Sequence, residues 1–329
     1  MVLNACEKRM FLAGDIGGTK TTFALASRNK IRVEARFLNS KFSSFYDLLK
    51  LFLKEHPCKI AGVSLSVAGP VKKGFVKVTN LPWKISDKKV GKIAKTRNVK
   101  ILNDFEAVGY GALALKPKDK AVLALGKPER HGTIAVIGAG TGLGEAILAW
   151  TGKRYIVVPS EGGHADFAPE SEEDWELRNF VTEELGGADW ESVVSGPGLV
   201  RIYNFLKKKA YGLESSAVIK EMKVKDPAAV ISSHALKKDN RLCEVALSWF
   251  VRFLGAEAGN LALKAKATGG VYIAGGIAPK ILPALRSPVF KQAFTNKVKM
   301  YNLLRQIPVF VVKNEKVGIL GALQVLLNK

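Results

Sequence analysis

An aspartate, two glycines, a threonine and a lysine stand close together near the head of the chain, Asp15-Ile-Gly17-Gly18-Thr19-Lys20 in "FLAGDIGGTKTTFALA". These are the residue types of a phosphate-binding turn. Glycines let the backbone approach an anion closely, exposed N–H groups and a hydroxyl donate to it, and a carboxylate before the turn suits Mg²⁺ or its water shell. The spacing fits neither common template. A Walker A loop needs Gly before its Lys, where Thr19 stands, and a dinucleotide fingerprint opens a helix, where β-branched "TKTTFALA" follows instead. A second turn, Gly140-Thr141-Gly142 in "IGAGTGLGEA", departs similarly, with Leu143 in place of the third Gly. A lone glycine hairpin would be only a tight turn. Two strand–turn–strand hairpins, each with a Thr, would clamp a triphosphate between two domains, where phosphoryl transfer depends on positioning and charge neutralisation. Lys20 either assists phosphate binding or only adds positive potential.

Other residues could act on an acceptor. Asn103 and Asp104 in "VKILNDFEAVG" sit where a strand passes into a helix, a place both for N-capping and for ligand contacts in α/β sheets. Glu161 and His164 fall in "SEGGHADFAP", where His164 reads as a loop hydrogen-bonding group or a metal ligand. The remaining histidines, His56, His131 and His234, show no ligand spacing, which sets the metal reading aside. Glu191 precedes "VVSGPG" and by itself is a carboxylate of an acidic helix. Gly275, Gly276 and Ile277 in "YIAGGIAPK" form a strand-to-helix turn, with Pro279 expected in the first turn of the helix.

The elements that must position these residues follow from periodicity. Strands are predicted at "MFLAGDIGG", "TKTTFALAS", "IAGVSLSVAG", "VKILN", "AVLAL", "TIAVIGAG", "GEAILAW", "YIVVP", "GGVYIAGGI" and "IPVFVVKN". Helices are predicted at "FYDLLKLFLKEH", from Asp104 through "DFEAVGYGALAL", at "SGPGLVRIYNFLKK" with Pro197 in its first turn, and at "VGILGALQVLL". "NRLCEVALSWFVRFLGAEAGNLALKAK" is long enough for a central helix, with Gly255 and Gly259 offering close packing. "PESEEDWELRNFVTEELGGADWE" reads as a helix with an exposed acidic face. The mixture predicts α/β architecture.

The chain has 329 residues, 47% of them hydrophobic, enough for two domains with substantial cores. No apolar run approaches the roughly 18 residues of a membrane span. "MVLNACEKRM" lacks the apolar segment of a secretory signal, so a cytoplasmic location is expected. Cys6, Cys58 and Cys243 are scattered and read as reduced thiols. The net charge of +22 includes basic runs such as "KISDKKVGKIAKTRNVK" and "NFLKKKAYG". These hold few aromatics and match no nucleic-acid module, so solvated surface is expected and nucleic acid is not an expected partner. A basic field also attracts an anionic substrate such as ATP.

Taken in order, "GDIGGTK", "TNLPW", "NDFEAVG", "GAGTGLGEA", "SEGGHADFAP", "ESVVSGPGLV", "GNLAL", "GGVYIAGGIAPK" and "GILGA" resemble the bacterial-type glucokinases of the hexokinase–actin-like ATPase superfamily. The resemblance implies a two-domain, ribonuclease H-like α/β fold with mixed sheets flanked by helices and an active site in the interdomain cleft. A small domain of 1–114 would be completed by 313–329, with 115–312 forming the large domain. It implies an ATP- and Mg²⁺-dependent kinase that makes glucose 6-phosphate, with Asp104 as general base and Asn103, Glu161, His164 and Glu191 as hexose ligands. Asp15 would hold Mg²⁺ through water, Gly275, Gly276 and Ile277 would lie beside the adenosine, and a homodimer is a common assembly among relatives. Alternatives are a kinase for another hexose or an amino sugar, and a non-catalytic sugar sensor. No cysteine-rich zinc motif follows a His, and the ten or so residues before the first strand leave no room for a helix-turn-helix.

Overall fold

"MFLAGDI" and "KTTFALAS" bury most of their side chains on both faces, and they pair as the central strands of a sheet. The computed structural model describes residues 9–27, 30–79 and 81–327. Cys6, most of the N-terminal segment and Asn80 of "TNLPW" lie outside the described residues. The chain divides into two units, 1–116 with 314–329, and 117–313.

In the first unit β1 (Met10–Ile16) and β2 (Lys20–Ser27) are antiparallel, with Asp15 opposite Thr22. β3 (Lys30–Leu38), which the sequence reading passed over, alternates exposed and half-buried positions as an edge strand does. Ser44 caps α1 (Phe45–Glu55) by accepting from the Asp47 N–H, and the helix buries Phe45, Leu48, Leu49 and Phe52. β4 (Ile60–Val67) runs parallel to β1. A small meander of β5 (Val71–Lys72), β6 (Phe75–Lys77) and β7 (Lys84–Ser86) leads into α2 (Asp87–Ala94). β8 (Val99–Asn103) then pairs parallel to β4, and α3 (Asp104–Ala112) follows at once. The sheet order is β3-β2-β1-β4-β8.

The second unit repeats this topology. β9 (Lys120–Ala124) forms one edge, and β10 (Ile134–Ala139), β11 (Leu143–Trp150) and β12 (Tyr155–Ser160) make an antiparallel meander. Helices follow: α4 (Glu172–Leu185), α5 (Trp190–Val193), α6 (Gly196–Lys208), α7 (Ser216–Met222), α8 (Pro227–Lys237) and the central α9 (Arg241–Ala265). β13 (Gly270–Ala274) pairs parallel to β10. After α10 (Leu282–Leu285), α11 (Pro288–Thr295) and α12 (Tyr301–Leu304), β14 (Val309–Val312) pairs parallel to β13. The order β12-β11-β10-β13-β14 matches β3-β2-β1-β4-β8 strand for strand, with β9 added beyond β14. The two glycine turns therefore occupy equivalent positions, one joining β1 to β2 and the other β10 to β11.

α13 (Val317–Leu327) belongs to the first unit, where Ile319, Ala322 and Leu323 pack on Ala13, Ala24 and Ala26 of the sheet. On the central helix Gly255 and Gly259 give the close packing expected of them: a Cβ would meet the Phe290 carbonyl oxygen at 2.6 Å and that of Phe294 at 2.5 Å. Two expectations change. Pro279 lies in a turn, and the helix starts later with Pro283 in its first turn, because the chain after Gly275 wraps back on the end of β10 before it can coil. The acidic helix exposes Glu172, Glu173, Glu183 and Glu184, yet Asp174 is only 1% exposed and accepts from the Arg252 guanidinium of α9 at 2.8 Å.

Candidate active site

In the first unit the candidate residues gather at one end of the parallel strands. β1, β4 and β8 end in register, with Ile16 beside Val67 and Val67 beside Asn103. The turn from Gly17 to Lys20 is closed by the Gly17 N–H donating to the Lys20 carbonyl, leaving Gly18, Thr19 and Lys20 exposed. Asn39, buried just after β3, clamps this turn from beneath. Its amide donates to the Gly17 carbonyl at 2.8 Å, its backbone N–H donates to the Thr19 carbonyl, and its side-chain oxygen accepts from the Thr21 hydroxyl at 2.8 Å. Asn39 was missed in the sequence because nothing at a separation of 18 to 22 residues marks it.

Asp15 lies next to this turn and accepts from the Ser66 hydroxyl at 2.9 Å. Burial raises its pKa, while the Ser66 hydrogen bond and the nearby Arg36 oppose the rise. Gly318 at the start of α13 brings the helix within contact of the same carboxyl, where a Cβ would sit 3.5 Å from it. A desolvated carboxylate with hard oxygen donors, bordered by an exposed glycine turn, fits a hydrated divalent cation.

Asn103 does cap a helix. Its side-chain oxygen accepts from the N–H groups of Phe105 and Glu106, and its amide donates to the Gly69 carbonyl at 3.3 Å. Capping fixes where α3 begins and so where Asp104, its exposed first residue, stands. Glu106, half-buried two residues further on, has its pKa raised by burial.

The second unit gathers the rest. The turn Gly162–His164 follows β12; a Cβ on Gly163 would overlap the backbone carbonyl of Leu143, which requires glycine there, and the Glu145 carboxyl lies against Gly162. His164 Nδ1 is 2.8 Å from Asp189 Oδ2. That hydrogen bond raises the His164 pKa, and the charges of Glu191, Asp189 and Glu161 add to the rise against partial burial. Glu161, His164 and Glu191 are thus electrostatic neighbours. Asp189 was also missed, although its signal was present: it caps α5 by accepting from the Ser192 N–H at 2.7 Å, the spacing of an N-cap.

Glu191 is more than a surface carboxylate. It is half-buried and accepts from the Leu143 N–H at 2.7 Å, directly after the Gly140–Gly142 turn. A Cβ on Gly142 would strike it. The Gly196 N–H donates to the Gly140 carbonyl at 2.8 Å, so the start of α6 holds the other side of the turn. Gly275 has φ +82° and lies against the Ala139 backbone, which only a residue without a Cβ allows. Within the second unit, Glu161, His164 and Glu191, the Gly140–Gly142 turn and the Gly275–Ile277 turn are therefore neighbours. Two surface cavities of about 580 and 630 Å³, one along α2 and one between α9 and α11, lie away from these residues.

Comparison with known proteins bears on what such a site does. A family model described as Glucokinase matches residues 12–329. A protein of Nostoc punctiforme named Glucokinase is 39% identical over 332 residues, covering 95% of this chain and 97% of its own. A Synechocystis protein of the same name is 39% identical over 341 residues, covering 95% and 96%. Among solved structures, a glucokinase from an Antarctic psychrotroph superposes with a TM-score of 0.86 at 31% identity, over 98% of this chain and 100% of that one.

Proposed function

The chain belongs to the glucokinase family, and from that premise we propose how its own residues carry out phosphoryl transfer from ATP to the 6-hydroxyl of glucose. The observation that carries the assignment of roles is the hydrogen-bonded link from His164 through Asp189 and α5 to Glu191 and the Gly140–Gly142 turn. It ties hydroxyl-binding side chains to a phosphate-type turn.

Glu161, His164 and Glu191 bind the sugar hydroxyls. A raised pKa keeps His164 a donor over more of the neutral range, while the carboxylates accept, and a hexose lacking one hydroxyl leaves a charged partner unmatched. The same acidic surroundings disfavour an anionic sugar. Asn103 fixes the start of α3 and so aims Asp104, which takes the proton of the attacking hydroxyl. A general base contributes about 10²–10⁴-fold in rate. The turns at Gly17–Lys20 and Gly140–Gly142 cradle the phosphates, and Gly275–Ile277 border the adenosine. Asp15 would hold Mg²⁺ through its water shell, where the ion supplies charge neutralisation on the phosphates.

Asp104 belongs to one unit and Glu161 to the other, so catalysis requires the two to reach one sugar, and closure on glucose would exclude water. We place this activity in the cytoplasm. No helix among the described residues is long and apolar enough to cross a membrane. A coupled assay for glucose 6-phosphate with ATP and Mg²⁺ tests the reading. Wild-type activity with a loss of at least about 10²-fold in a folded Asp104→Asn variant is expected, and equal activity in both overturns the assignment of the base.

A further inference from the structure

Glu145 follows the Gly140–Gly142 turn by three residues, on β11, and none of the roles above uses it. It is 2% exposed, and Glu257 of the central helix is 0% exposed. Two buried carboxyls facing one another at full charge would carry a repulsion that a low-dielectric interior makes severe. Their partners are unequal. Glu257 accepts from the Asn260 amide at 2.8 Å and from Lys264 Nζ at 3.4 Å. Glu145 Oε1 is buried with no hydrogen-bond partner. In the sheet Glu145 stands opposite Ile137 of β10 and Ser160 of β12, and the following turn brings Gly162 against its carboxyl. The charged groups facing it are Glu257 and Lys264, both on α9. A buried carboxyl oxygen left without a donor, set against a carboxylate supplied with them, is satisfied when the carboxyl keeps its proton and donates it.

We infer that Glu145 and Glu257 hold one proton between them, and that this pair positions the Gly162–His164 turn, with Glu161 beside it, for sugar binding. The positioning role rests on the sugar-binding reading of that turn. The mechanical link is direct, because the Glu145 carboxyl fills the space that a Cβ on Gly162 would need, and the pair ties β11 beneath the turn to α9. Loss of the proton would put two charges in one buried site, and the strand and the turn above it would have to part from the helix to relieve them. The inferred roles differ: Glu145 and Glu257 are positioning residues, and neither is asked to touch the sugar.

Burial, and next the Glu257 charge, push the Glu145 pKa up to about 8, with Lys264 opposing. The folded chain then holds a proton that the unfolded chain has released, so stability falls as pH rises from the ordinary carboxylate range toward that raised value. Glu145→Gln keeps the shape and a donor but removes the titration.

The test follows melting midpoint, glucose KM and kcat from pH 5 to pH 9 for wild type, Glu145→Gln and Glu145→Ala. The wild-type midpoint is expected to fall with pH across this range more steeply than that of Glu145→Gln. At neutral pH Glu145→Ala is expected to raise glucose KM about tenfold with little change in kcat or in the KM for ATP, while Glu145→Gln restores it. Toward and above pH 8 the wild-type glucose KM is expected to rise more steeply than that of Glu145→Gln, the loss of the His164 proton being common to both. Identical pH slopes of melting overturn the shared proton. Identical pH profiles of glucose KM, or a parallel loss of kcat in Glu145→Ala, overturn the positioning role. Should the variants not fold, a carbon-13 titration of the assigned Glu145 side-chain carboxyl in the wild type decides the proton: a midpoint well above the ordinary carboxylate range is expected, and one within that range overturns the shared proton. A chain that neither binds nor phosphorylates glucose overturns the sugar-turn reading and the positioning role with it, whereas the melting slope still judges the proton.

Discussion

Asp104 and His164 meet different demands with ordinary means. Asp104 is the exposed first residue of a helix, held in place by the neighbouring cap rather than by burial. Its removal should therefore cost rate and little stability. The Asp104→Asn variant is expected to melt close to wild type while losing about 10²–10⁴-fold in kcat. His164 depends on Asp189, whose other oxygen caps α5. Since that hydrogen bond raises the imidazole pKa, the favourable pairing is fully present below the unfolded value of 6.5 and is lost as pH rises through the folded one. In an NMR titration the His164 midpoint is expected above 6.5, and Asp189→Asn is expected to lower it; an unchanged midpoint would exclude Asp189 as the cause. Of this group, His164, Glu161 and Asp104 stand out in the sequence by type and setting. Asp189 and Asn39 do not, because their work is to hold other residues, and a clamp between chain-distant atoms leaves no local pattern.

Elements place these residues through close approach. α13 crosses α3 where Gly321 faces the Ala107 carbonyl and Gly111 faces that of Val317. Backbone on both sides leaves nothing flexible to yield. Gly321→Val is expected to destabilise the first unit by about 1–3 kcal/mol, the usual cost of overpacking, measured as a lower denaturant midpoint. A midpoint equal to wild type would mean that α13 is not packed against α3 as described. The apolar pattern of "VGILGALQVLL" announces a helix, but not that its small residues seat it on Ala13, Ala24 and Ala26, three hundred residues earlier. Pro279 fails as a helix start for a related reason. Local propensity favours coiling there, yet the Ile277 N–H reaches back to the Ala139 carbonyl and holds the segment as a turn against β10.

On the scale of the whole molecule, the same sheet topology occurs twice, and each copy presents a glycine turn at the equivalent position. The proposed transfer needs Asp104 of one unit and Glu161 of the other to reach the same sugar, which closure of the units on glucose would achieve. Adding glucose is expected to reduce the radius of gyration in solution scattering, and superimposable profiles with and without the sugar would overturn closure. The +22 charge is spread over exposed lysines and arginines, including Lys88, Lys92, Lys95 and Arg97 around the cavity along α2. Such a field draws anionic nucleotide toward the protein at low ionic strength.

The sequence by itself determined what short-range physics can write. Glycine spacing between β-branched runs made two hairpin turns, Asn103 made a helix start, and alternating and helical periods made most of the strands and helices, because these depend on neighbours within a few residues. Only the tertiary structure decided that Asn39 would close the first turn, that Glu191 would support the second, and that Asp174 would be buried against Arg252. It also brought Glu145 to Glu257 across 112 positions. A buried polar side chain has a meaning only through the partner that compensates its lost water, and the partner is chosen by packing rather than by sequence distance.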